Sequence, residues 1–154
     1  MPRNKEMRQQ MRIEARKNLL ETGRRLFAEK GFDACKIADI AVDAEMSKGN
    51  IYWYFASKEE LFGAVLKEGF QALGTLMISP ANESASGLDK LNAVVGELLK
   101  VMRTTEGREF ITIVFTFIGQ HGVEDFERFG ITTRHIGTSY HNALNAIFAQ
   151  AQEE

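Results

Sequence analysis

Ser47 and Ser57 each mark the start of a helix within one short stretch, and this constrains the chain more than any other feature. The stretch runs Ser47-Lys48-Gly49-Asn50-Ile51-Tyr52-Trp53-Tyr54-Phe55-Ala56-Ser57-Lys58-Glu59-Glu60-Leu61-Phe62. Ser47 is placed to cap a short helix, with Lys48, Gly49 and Asn50 in its first turn. Ser57 and Glu60 stand at capping-box spacing for the next helix, with Lys58 at its first position. Backbone N–H groups and the helix dipole favour phosphate at such ends, and each has a lysine beside it. The stretch reads as a docking surface for nucleic acid.

The residues ahead of it complete a compact unit. Leu19, Leu20, Gly23, Leu26 and Phe27 recur with the period of an amphipathic helix. Gly31 follows Glu29 and Lys30 where a left-handed C-terminal cap belongs. Ile37, Ile40, Ala41 and Ala44 mark a second, shorter helix, and Ala44 to Ser47 make a tight turn into the third. Small residues at 41 and 44 let two short helices cross closely, as a helix-turn-helix requires.

These residues carry a family pattern. Leu26-Phe27-Ala28-Glu29-Lys30-Gly31-Phe32, Asp39-Ile40-Ala41, Ser47 to Tyr52, Tyr54-Phe55 and Lys58-Glu59-Glu60-Leu61 occur in register. Residues about 19–66 resemble the DNA-binding domain of the TetR family of bacterial transcriptional regulators. The resemblance implies an all-α fold: an N-terminal three-helix helix-turn-helix domain followed by a helical effector and dimerisation domain. It also implies that Lys48 to Tyr54 enter the major groove. Lys48 and Asn50 then reach base edges or adjacent phosphates, and Gly49 lets the backbone approach the DNA. Tyr52 and Lys58 meet phosphates, and Trp53 and Tyr54 touch the backbone or a thymine methyl. Ser47 supports this set as the cap, while Ile51 and Phe55 face the core.

The chain departs from the family pattern in three places. Glu45 occupies the turn position usually held by glycine. Cys35 and Lys36 stand at the entry to the second helix in place of a threonine pair, so a side-chain cap is lost, and Lys36 becomes a phosphate contact instead. Lys36 also offers to lower the pKa of the Cys35 thiol, which makes a redox role conceivable. Lastly, family members carry two further long helices that pair with a partner's, whereas this chain stops at Gln152-Glu153-Glu154.

Charge follows the same division. Residues 1–58 hold 12 Lys+Arg against 8 Asp+Glu, and residues 59–154 hold 7 against 13, within a net charge of −2. A basic front and an acidic back suit a protein of which one end faces DNA. Arg3, Lys5, Arg8, Arg12, Arg16 and Lys17 form a leading basic segment. It reads either as a mobile arm that reaches along a groove or as a solvated extension of the first helix.

The predicted organisation is 1–57 for the arm and helix-turn-helix, 58–78 for a connecting helix, 79–87 for a linker and 88–154 for the helical effector region. Leu88, Leu91, Val95, Leu98 and Met102 recur at alternating spacings of three and four, a helix face. Residues 107–120 have strand-like propensity in Ile111, Ile113, Val114, Phe115 and Phe117, but their neighbours favour a buried helix ended by Gly122. Glu124-Asp125 suit a further helix start, and Ile136, Tyr140, Leu144, Ile147 and Phe148 mark a last helix. Following the resemblance, Phe70, Met102, Phe110, Phe115, Phe117, Phe126 and Phe129 are candidate effector-pocket lining. His121, His135, Thr116 and Tyr140 are candidate polar contacts. Ordinary core packing is the competing reading for each.

Other classes find little support. The histidines at 121, 135 and 141 lack helical metal spacing, and there is no glycine-rich phosphate loop. No enzyme activity, cofactor or metal is expected. The single cysteine and the lack of an apolar N-terminal segment or membrane-length apolar run suggest a cytoplasmic protein. The expected partners are an operator duplex, an inverted repeat read by a homodimer, and a small apolar or amphipathic effector that releases it. The short C-terminus leaves an alternative open: a truncated interaction protein that pairs with a relative or binds DNA weakly as a monomer.

Overall fold

The computed structural model describes residues 2–78 and 86–132 and positions 146, 147, 149, 150 and 152. Every regular element among them is helical: α1 (Pro2–Ala34), α2 (Ile37–Asp43), α3 (Lys48–Tyr54), α4 (Lys58–Ile78), α5 (Gly87–Arg103), α6 (Thr105–His121) and a 3-10 turn, Glu124–Phe129. The chain divides into two compact units, Met1–Val65 and Leu66–Glu154.

In the first unit, α1 begins at Pro2, so the basic segment is a helix extension and not an arm. Gly31 interrupts α1 at φ 77°, a backbone conformation that glycine adopts without a Cβ penalty. The chain thereby turns toward α2. Phe27, Phe32 and Phe62 make the aromatic centre: Phe62 meets Phe27 edge-on at 4.9 Å and Phe32 at 4.6 Å between ring centroids. Leu19, Ile40, Ile51, Phe55 and Leu61 close around them, all buried. The first two turns of α4, through Val65, thus belong to this core. Burial of side chains this large, at about 1.5–3 kcal/mol each, holds the short α2 and α3, which are below the length at which isolated helices persist.

In the second unit, α5 and α6 are joined at Thr104 and pack against each other. Thr104 ends α5, and its Oγ1 accepts from Gly107 N at 3.0 Å to cap α6. Residues 105–121 are thus helical despite their β-branched content. Local capping and burial of Phe110, Ile113 and Phe117 on one face override strand propensity. Gly122, at φ 87°, ends the helix as expected. Ser86 Oγ accepts from Asp89 N at 3.1 Å, so Ser86 caps α5, and Gly87 is already helical. The rest of the 79–87 linker and most of the last helix lie outside the described residues, as do Tyr140 and His135.

Candidate nucleic-acid interface

The α2–α3 turn is fixed by backbone and side-chain bonds at each step. Ala44 N donates to Ile40 O at 2.8 Å, and Met46 N donates to Ala41 O at 2.9 Å. Asn18 on α1 reaches across to the carbonyl of Ala44 at 3.3 Å. Glu45 takes φ 54°, the left-handed region, at the position where the family pattern has glycine. Its side chain is exposed. Arg25 of α1 pairs with Asp43 at the end of α2 and so ties α1 to the same turn.

At the start of α2, Lys36 supplies no side-chain cap, as its side chain has no acceptor. Asp39 compensates: its Oδ2 accepts from Lys36 N at 3.0 Å and pairs with Lys30 Nζ at 3.2 Å. The backbone bond, then the contact with Lys30, hold the Asp39 carboxyl below its ordinary range. The Lys36 side chain is left exposed.

Ser47 caps α3 as its position foretold, with Oγ accepting from Asn50 N at 3.1 Å. That bond sets the register in which α3 meets the core. Ile51 and Phe55 are inward, while Lys48, Gly49, Asn50, Tyr52 and Trp53 are exposed and Tyr54 is half-buried. Among the described residues, a Cβ at Gly49 would meet nothing nearer than Ser47 Oγ at 3.9 Å, so their packing does not require glycine there. Trp53 lies edge-to-face with Tyr54 at 4.8 Å, and the Arg12 guanidinium covers the Trp53 ring at 4.9 Å. Lys36, Ser47, Lys48, Gly49, Asn50, Tyr52 and Trp53 are thus all exposed around the turn and α3.

Lys58 is used differently from what its sequence position suggested. Its Nζ donates to Phe32 O at 2.7 Å and Cys35 O at 3.1 Å, and it sits 4.2 Å from the Phe32 ring centroid. The ammonium therefore neutralises carbonyls freed where α1 ends and α2 begins. Nearby, Ser57 Oγ accepts from Glu60 N at 3.1 Å, and Glu60 reaches back to Ala56 N at 2.6 Å. The expected reciprocal cap is present, one residue earlier than the ideal box. Cys35 is buried, and its thiol pKa is raised by burial and by the Asp39 charge, against lowering by Lys30 and Lys58. A buried thiol with a raised pKa is a poor thiolate, which gives the redox reading no support.

The effector candidates in the second unit are mostly core. Phe110, Phe117 and Phe126 are buried. Phe70 meets Phe110 edge-on at 5.0 Å, and Phe117 stacks on Phe126 at 5.1 Å and on His121 at 4.5 Å. Phe129 adds an edge contact to Phe117 at 5.4 Å. Gly69 lies so close to the Phe110 ring that a Cβ there would clash with it. Phe115, at 72 % exposure, and Met102, at 44 %, are exposed rather than packed in this core. Thr116 is also exposed. His121 Nδ1 lies 4.0 Å from Asp125. Among the described residues there is no metal-type cluster of His, Cys, Asp and Glu, and no helix long and apolar enough to cross a membrane.

Two short helices joined by this turn, with the second braced on its inner face and bare on its outer one, define a helix-turn-helix protein. Residues 19–65 match the family described as "Bacterial regulatory proteins, tetR family". The likeness to that family rests on these residues, which make up less than half of the chain. It is 40 % identical over 75 residues to the transcriptional repressor DhaR of Mycobacterium sp. (strain GP1), a match covering 49 % of this chain and 37 % of DhaR. It is 26 % identical over 137 residues to the regulator AcrR of Shigella flexneri, covering 79 % and 64 %. The chain thus spans less than two thirds of either relative. Its fold is similar to that of AibR in complex with isovaleryl coenzyme A and operator DNA, with TM-score 0.73 and 24 % identity, covering 90 % of this chain and 72 % of that one. It is also similar to the ketosteroid regulator KstR2 of Mycobacterium tuberculosis, with TM-score 0.68 and 21 % identity, covering 90 % and 68 %.

Proposed function

We propose that this chain is a transcriptional repressor that occupies an operator through α3 and is released by a small apolar or amphipathic effector. One observation carries the DNA-binding part: Ser47 caps α3 while Ile51 and Phe55 anchor it, which leaves Lys48, Asn50 and Tyr52 exposed around the outer side of the helix. Lysine and asparagine supply the donors and acceptors that base edges present in a major groove. Lys48, Lys36 and Tyr52 supply phosphate contacts, which set register and most of the salt-dependent affinity. Support for the effector part is the likeness to AibR, which was captured with both isovaleryl coenzyme A and operator DNA. The mechanism is a population shift: the effector favours a spacing of two reading heads that no longer fits successive major grooves.

In this reading the two heads belong to a homodimer that reads an inverted repeat. Selection of bound duplexes from a random pool tests this directly. Enrichment of an inverted repeat supports the dimeric repressor, whereas a lone half-site refutes the dimer. Effector candidates are then screened for release of the selected duplex.

A second reading, an interaction protein without effector response, is favoured by α5. Leu88, Val95, Leu98, Leu99 and Met102 leave it with an exposed apolar stripe, a face that association with another helix would cover. Sedimentation of the chain alone and with a full-length relative separates the two. Pairing only with the relative favours this second reading.

A further inference from the structure

The segment of α1 ahead of Leu19 takes no part in the core, and its charge is sorted by face. Lys5, Arg8, Arg12 and Arg16 follow one another at spacings of three and four, and Leu19, Gly23 and Leu26 continue the same row. Side chains so spaced share one face of a helix. From Leu19 onward this row is the buried one, with Leu19 at 0 % and Leu26 at 5 % exposure. Ahead of Leu19 the same row is exposed and wholly basic. The acidic residues of the segment, Glu6 and Glu14, fall off the row.

Two contacts fix the direction in which the row faces. The Arg12 guanidinium stands over the Trp53 ring at 4.9 Å, and the Arg16 guanidinium over the Phe55 ring at 5.1 Å. Trp53 belongs to α3, and Phe55 immediately follows it. The basic row is therefore on the α3 side of the unit. Stacking occupies the flat face of a guanidinium and leaves its donors, which lie in the ring-like plane, directed outward.

We propose that Lys5, Arg8 and Arg12 form a second DNA-contacting element, running along the phosphate backbone beside the half-site that α3 reads. Arg12 and Trp53 are the hinge point between the two: the indole supports the guanidinium that reaches the phosphate. The row extends the footprint outward and adds affinity that is salt-dependent and indifferent to base sequence. The inference rests on α3 being the reading helix.

The test uses the full chain and the duplex it selects from a random pool, in a long form and in a form trimmed at its outer flanks. The variant carries Arg8→Ala with Arg12→Ala, both at exposed positions, and its thermal melt is compared with the parent's. The slope of log affinity against log salt should fall by about 1.8, at about 0.9 per lost phosphate contact. Hydroxyl-radical protection should shorten at the outer flank, and re-selection should return the same base preference. The parent on the trimmed duplex should match the variant on the long one. Trp53 is the only tryptophan, so its emission should also change in Arg12→Ala. An unchanged slope and unchanged flank protection overturn the proposal and leave base reading by α3 intact. Failure of the parent to select any sequence overturns base reading itself, and the flanking role falls with it.

Discussion

The ammonium of Lys58, at the first position of α4, lies 2.7 Å from the carbonyl oxygen of Phe32, just after the break in α1. It ties the beginning of one helix to the end of another across 26 residues of chain. Replacing Lys58 with Met keeps the aliphatic stem and removes the donors. Charge-assisted bonds of this kind are worth about 1.5–3 kcal/mol, so thermal unfolding should show a loss of about 2 kcal/mol. The salt slope of DNA binding should stay as in the parent. A fall of about 0.9 would instead place this ammonium on a phosphate.

Ser47 separates stability from binding. Ser47→Ala removes the acceptor for Asn50 N and should cost about 1 kcal/mol in a denaturant titration. Ser47→Asp restores the cap and most of that stability. It also places a carboxylate at the end of α3, so its affinity for any duplex should fall below that of Ser47→Ala.

Gly49 offers a sharper separation. Nothing among the described residues approaches closely enough to exclude a methyl group there. Gly49→Ala should therefore raise helix stability by up to about 1 kcal/mol. DNA affinity should drop if the α3 backbone lies against the duplex. Parallel melts and binding isotherms check both signs, and a variant that gains stability without losing affinity contradicts the close approach.

Asp39 sets an acid limb. Its pKa is lowered in the folded chain by the Lys36 backbone bond and then by Lys30, so its contribution is present at neutral pH, above the ordinary carboxylate range. That contribution disappears as pH falls through the lower folded value. Melting temperatures measured down an acid series should fall more steeply for the parent than for Asp39→Asn. Parallel curves would show that the carboxylate contributes nothing beyond an amide.

What the sequence revealed and what it hid follow from the range of the forces involved. Gly31, Ser47, Ser57 and Gly122 were legible because a cap is a bond between near neighbours, readable from spacing alone. The inward pair Ile51 and Phe55 was legible from helical period. Lys58 was not, since its partners Phe32 and Cys35 are distant in sequence, and a lysine at a helix start looks equally suited to phosphate. Arg12 over Trp53 was hidden for the same reason. The exposure of Phe115 and Met102 was not legible, because composition marks a residue as apolar without saying whether anything covers it. Residues 105–121 were ambiguous because β-branched side chains favour strands locally, and only packing and the Thr104 cap decide for helix.

The central claim is that α3 reads bases through Asn50 and holds phosphate through Tyr52, both exposed. Parallel selection from one random duplex pool, with the parent, Asn50→Ala and Tyr52→Phe, tests it most directly. The parent should enrich a defined site. Asn50→Ala should lose preference at one base position per half-site and keep the others. Tyr52→Phe should keep the whole preference while binding every duplex more weakly, by about 1 kcal/mol. Uniform weakening by Asn50→Ala, with no position relaxed, would contradict base reading by α3.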